Sequence, residues 1–131
     1  IRDRPWIGVN PNHVEINAAE EFDDPGSVYT FYKKLIAMRH NNATIATGEW
    51  NLVAADSEQV YSFTRTSGDD TILVIVNLTD RTAQVPAEVA QLLEDGVGES
   101  QVLLSTYDAV HSVKSVARGE LARWEGVVIQ L

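Results

Sequence analysis

At Gly48 the hydrophobic pattern of the chain changes period, from about 3.6 residues before it to two residues after it. That change divides the 131 residues into a helix-bearing segment, 1–47, and a strand-bearing segment, 48–131. Ahead of the change, "DPGSVYTFYKKLIAMRHNN" places Val28, Phe31, Tyr32, Leu35 and Arg39 at i, i+3, i+4, i+7 and i+11, with Ile36 and Met38 widening the stripe. The spacing predicts one long helix from about Ser27 to Asn41, with Asp24 as its N-cap and Pro25 at its first position. Lys33, Lys34, Arg39 and His40 fall in its middle and last turn and acids precede its first, as the helix dipole favours. Asn17, three residues before Glu20, predicts a shorter helix upstream.

After Gly48, "EWNLVAA", "QVYSFTRT" and "DTILVIVNL" are β-branched and aromatic runs separated by the turn formers "ADSE" and "SGDD", which predicts an antiparallel meander. Tyr61 and Phe63 share one face of the second run, and Ser62 and Thr64 the other. The third run, Ile72 to Val76, is apolar on both faces and reads as a central strand. "AEVAQLLEDG" predicts a helical turn ended by Gly96, and "QVLLST", "GELARW" and "GVVIQL" supply the remaining strands. Seven or eight short strands make the expected fold mainly β, an antiparallel β-sandwich preceded by a loop and one long helix.

The formal charge of −9 repels phosphate backbones and anionic lipid, so neither nucleic acid nor membrane is expected as a partner. There is no cysteine, which excludes disulfides and thiolate metal sites and suits a cytoplasmic location. No apolar run reaches the roughly 18 residues of a membrane span. Because the chain begins at Ile1 without a methionine, it is expected to be an excised or matured piece of a longer product.

Glycoside hydrolysis needs two carboxylates flanking one bond. Glu15, Glu20, Glu21, Asp23 and Asp24 cluster early, but they are read as groups that cap and precede helix N-termini. His13, His40 and His111 are far apart in sequence, and no H-E-x-x-H, G-x-S-x-G or phosphate-cradling pattern accompanies them. No catalytic residue, metal ligand or cofactor is assigned. Trp6, Trp50 and Trp124 could stack on sugar rings, but are read instead as filling the core or a domain seam. Asn42-Ala43-Thr44 and Asn77-Leu78-Thr79 match the glycosylation acceptor by chance, Asn77 being placed at the end of a buried strand.

"PWIGVNPNHVEINAAEEFDDPGSVYTFYKKLIAMRH", residues 5 to 40, resembles the stretch that ends the catalytic barrel in α-glucosidases of glycoside hydrolase family 13, the α-amylase superfamily. The similarity is to the oligo-1,6-glucosidase, dextran glucosidase and sucrose isomerase group, with His13 where those enzymes usually carry tyrosine. It continues through "GEWNLV", Tyr61 to Thr66, Leu103 to Asp108, and Arg123, Trp124 and Glu125, where Arg123 replaces the proline of a "PWE" motif. The resemblance implies that residues 1–47 hold the loop after the eighth strand and the last helix of a (β/α)8 barrel, and that 48–131 form a C-terminal sandwich. Trp6, Asn10, Asn12 and His13 would then lie near the substrate mouth, and the family's catalytic carboxylates would lie upstream of this stretch.

Three functions follow from these readings. The first is a C-terminal piece of an enzyme hydrolysing small α-glucosides, inert alone, whose Val28, Phe31, Tyr32, Leu35 and Ile36 pack a seam with the missing barrel. The second is a carbohydrate-binding module using Trp50 or Tyr107. The third is an interaction module that self-associates through the exposed helix.

Overall fold

The computed structural model describes residues 6–95 and 100–131. Pro5, the first residue of the matched loop, and Gly96, the expected end of a helical turn, lie outside the described residues. The chain separates into two compact units, Ile1–Ala37 and Met38–Leu131.

The first unit opens with a 3₁₀ turn, Pro11–Val14, capped by Asn10, whose side chain accepts the Asn12 N–H. Helix α1, Ala18–Phe22, starts where the sequence indicates, because Asn17 Oδ1 accepts the N–H groups of Ala19 and Glu20. Helix α2 spans Val28–Asn41, and its last turn carries Arg39 and His40. Its cap differs from the expected one. Asp24 Oδ1 accepts the Gly26 N–H and closes a turn around Pro25, so the helix begins three residues later. There Ser27 Oγ accepts the Thr30 N–H while donating to the Glu21 carbonyl. Glu21 Oε2 takes the Tyr29 N–H, which satisfies a second donor of the first turn.

In the second unit α3, Ala43–Thr47, follows the end of α2 and is capped by Asn42, whose side chain accepts the Ile45 N–H. The acceptor-like Asn42 is thus a helix cap. Strands β1 (Glu49–Val53), β2 (Val60–Ser67) and β3 (Asp70–Asn77) form the expected antiparallel meander. They join β5 (Gln101–Ser105) and β7 (Gly126–Gln130) in a five-stranded sheet of order β1-β2-β3-β7-β5, which makes β3 the central strand. A register shift between Val102 and Leu104 bulges the β5 edge.

Strands β4 (Ala83–Gln84) and β6 (Glu120–Leu121) pair separately as a two-stranded ribbon. Helices α4 (Ala87–Asp95) and α5 (Ala109–Ala117) complete the unit, which is therefore antiparallel sheet combined with helix. Helix α5 falls in residues that the strand pattern leaves unassigned. Its signals are local: Asp108 Oδ1 accepts the His111 N–H at the start, and Gly119 takes φ +71° just past the end.

The core lies on one face of the sheet. Leu73, Ile75, Val127 and Ile129 pack with Ala83 and Leu121 of the ribbon and Val89 of α4, all buried. The inward face of β2 is the hydroxyl face: Ser62 and Thr64 are buried, and Ser62 Oγ donates to the Val53 carbonyl at 2.7 Å. Tyr61 and Phe63 consequently point to the other side.

Candidate functional site

The loop expected near a substrate mouth is held by its own backbone and side chains. His13 Nδ1 lies 2.8 Å from the Asn10 carbonyl, and Asn17 Nδ2 donates to the His13 carbonyl. Trp6, Asn10, Asn12 and His13 are all exposed. Amide and imidazole groups are thus presented on an ordered turn, and the Trp6 indole is open to solvent upstream of it.

The acids of this unit behave as the sequence indicates. Glu20 and Glu21 sit in the first turn of α1, Glu21 also caps α2, and Asp24 closes the turn before it. Among the described residues no group of three His, Asp or Glu side chains is placed to hold a metal ion. Helix α2 has no buried residue: Val28, Tyr32 and Ile36 are exposed, and Phe31 and Leu35 half-buried. Val28, Tyr29, Tyr32 and Ile36 line a shallow groove of about 480 Å³ with Glu21 and Lys33.

The tryptophans depart from expectation as core residues. Trp6, Trp50 and Trp124 are all exposed, because the core of the second unit is closed by branched aliphatic side chains. Trp124 has φ +55° in the turn before β7 and is 58% exposed.

One polar cluster has no forerunner in the sequence beyond the "PWE"-like resemblance at Glu125. Glu125 is fully buried, with Oε1 accepting from Ser112 Oγ at 2.8 Å and Oε2 from the Ala122 N–H at 2.7 Å. Ser112 Oγ also bonds Ser105 Oγ, which accepts the Tyr107 N–H. His111 Nε2 is 3.9 Å from Glu125 Oε2, and its ring stacks on Tyr107. The serine hydroxyl meets the carboxylate directly, so no imidazole stands ready to take its proton as nucleophilic catalysis requires. The cluster ties α5 to β5 and to the turn before β7.

Asn77 completes that turn. Its Nδ2 donates to the Arg81 and Ala122 carbonyls at 2.7 and 2.8 Å, and its Oδ1 accepts from the Thr79 N–H and hydroxyl. It is fully buried, as the reading of its acceptor-like motif requires. Between α4, α5 and the sheet lies a cleft of about 630 Å³, apolar apart from Glu94 and Ser100. Among the described residues it offers one carboxylate, where glycoside hydrolysis needs two.

Comparison with known proteins defines the class. Residues 2–48 match the family model "Alpha amylase, catalytic domain". An oligo-1,6-glucosidase of Parageobacillus thermoglucosidasius is 33% identical over 129 residues, which is 97% of this chain and 22% of that protein. A second oligo-1,6-glucosidase, from Halalkalibacterium halodurans, is 36% identical over 79% of the chain and 18% of its own length. Among solved structures, a trehalose-6-phosphate hydrolase of Bacillus licheniformis is 29% identical with a TM-score of 0.75, over 96% of this chain and 22% of that one. The chain is therefore related to glycoside hydrolase family 13, the α-amylase superfamily. Within it, the relatives are oligo-1,6-glucosidases, together with trehalulose synthase and trehalose-6-phosphate hydrolase structures. The chain spans about a fifth of the length of the curated relatives it matches.

Proposed function

We propose that this chain is the C-terminal portion of an α-glucosidase that hydrolyses short α-glucosides, isomalto- or maltooligosaccharides, by a retaining two-carboxylate mechanism. Residues 1–47 end the catalytic (β/α)8 barrel and 48–131 form the C-terminal domain, of the antiparallel sandwich type. The catalytic carboxylates reside upstream, and the role of this portion is to pack against the barrel and stabilise it. Trp6, Asn10, Asn12 and His13 stand on the barrel's substrate face, where the loops after barrel strands gather. The parent is cytoplasmic and needs no metal or cofactor.

The observation that carries this reading is identity of 33% along almost the whole chain to a glucosidase of which that alignment covers only 22%. The full gene product should release glucose from isomaltose or maltose, and the 131-residue chain should release none. Turnover by the 131 residues alone would overturn the assignment.

The exposed stripe of α2 has a second consequence. Apolar patches left open to water drive association, so the 131-residue chain is expected to form dimers or larger assemblies through Val28, Tyr29, Tyr32 and Ile36. Sedimentation over a range of concentrations should show mass rising with concentration, and Tyr32→Lys should return it toward monomer. A sugar-binding role for the sheet, favoured by the half-exposed Trp50, is the second reading; quenching of tryptophan fluorescence by isomaltooligosaccharides would support it.

A further inference from the structure

Three segments of the chain meet at the end of the sheet where β7 begins, and hydrogen bonds fasten them together. The Trp124 N–H donates to the Thr79 carbonyl at 3.0 Å, the Trp124 carbonyl accepts from Thr106 Oγ1 at 3.3 Å, and Tyr107 Oη donates to the Arg123 carbonyl at 3.0 Å. Buried Asn77 ties the first segment to the third through the Arg81 and Ala122 carbonyls. Gly126 pairs with Val76 at this end, whereas α3 and Gly48 stand beside Thr66 and Asp70 at the opposite one.

The rim so formed carries aromatic rings in the open. Trp124 is more than half exposed and Tyr107 is 38% exposed, with His111 stacked on the Tyr107 ring at 4.7 Å between centroids. The positive φ of Trp124 suits glycine and strains a bulky residue. Its indole gains no burial in return. Strain without a packing gain marks a residue retained for what it presents. The same joined segments carry the exposed side chains of Asp80, Arg81 and Arg123, and Arg123 makes no ion pair among the described residues.

We infer that Trp124, with Tyr107 and Arg123 on the same rim, is a binding surface for neutral α-gluco-oligosaccharides. The choice of ligand rests on the proposed glucosidase parent, whose substrates have this chemistry. A pyranose offers a flat C–H face and a girdle of hydroxyls. An open indole takes the first, while the Asp80 carboxylate accepts from the second and the Arg81 and Arg123 guanidinium groups donate to it. A protein partner fits less well, since the centres of protein interfaces are depleted of charged side chains. The formal charge of −9 disfavours an anion.

The chain has three tryptophans, so the indole in question can be isolated. Trp6→Phe combined with Trp50→Phe leaves Trp124 as the remaining indole, and its fluorescence is followed while isomaltotriose or maltotriose is added. A saturable change is expected, over the same sugar concentrations as in the unsubstituted chain. Trp124→Gly removes the ring and relieves the positive φ. Ligand-observed NMR should show its affinity for the same sugars weakened by about tenfold or more, the loss of a central aromatic contact, with a thermal midpoint equal to or above that of the unsubstituted chain. A ring that served only the fold would lower the midpoint and leave no sugar response to lose. A silent Trp124 in the double variant, or sugar affinity unchanged by Trp124→Gly, would overturn the inference. Glucose release by the full gene product is the separate readout for the parent: release without binding at Trp124 removes this surface alone, and binding at Trp124 without release removes the parent alone.

Discussion

Replacing Glu125 by alanine is expected to lower the unfolding free energy of the chain by roughly 2–4 kcal/mol, since each buried polar group left without a partner costs about 1–3 kcal/mol. Two groups lose a bond to the carboxylate. The Ala122 N–H, now 2.7 Å from Oε2, has its bond inside a tight turn, and Ser112 is fully buried on α5. Ser112 retains Ser105 as a partner, so the larger part of the loss falls on the turn. That turn is also where the Glu125 carbonyl accepts the Asn77 N–H at 2.8 Å and the Trp124 N–H reaches the Thr79 carbonyl. Glu125→Gln keeps the shape and both reaches, and should recover more than half of the loss. Urea unfolding of the three proteins measures this directly. Equal destabilisation by both substitutions would show that charge, and not the hydrogen bonds, matters at this position.

Ile75→Ala should cost about 2–5 kcal/mol, the range for removing a large aliphatic side chain from a packed interior. Ile75 is fully buried on the central strand, opposite Ser62 on β2 and Val127 on β7. The inward neighbours in the core are held by a sheet on one side and by α4 and the ribbon on the other, so the site cannot collapse easily onto the lost volume. Val74→Ala on the opposite face is the control. Val74 is half-buried, and its loss should cost well under half as much in the 131-residue chain. Thermal or urea unfolding that ranks Val74 equal to Ile75 would mean that the two faces are equally covered.

The fold was legible where one side-chain period dominates. Helix α2 and the β1-β2-β3 meander are long and regular, and β-branched runs between "ADSE" and "SGDD" leave little choice of register. The start of α2 was less legible, because Asp24, Pro25 and Ser27 all carry N-terminal signals and only three-dimensional reach shows that Ser27 takes the cap. Helix α5 was hidden by its composition: Val110, Val113 and Val116 suit a strand as well as a helix, and the Asp108 cap is a single residue.

The burial of the tryptophans and the role of Glu125 depend on which face each strand turns inward. That choice is made by packing across elements distant in the chain, here by Leu121 and Val89 closing over Leu73 and Ile75. A period of two says that Ser62 and Tyr61 face opposite ways. It does not say that the hydroxyl is the one turned inward, where it bonds the Val53 carbonyl. The early acids were legible for the opposite reason, since capping is local and Asn17, Glu21 and Asp24 act within eight residues of their partners.

The account as a whole stands on the chain being one part of a much longer glucosidase, and the intact mass of the gene product in its native host tests that most directly. A mass several times the 14.5 kDa of these 131 residues, with this sequence at its C-terminal end, is the predicted result. A mature product of 14.5 kDa would contradict it.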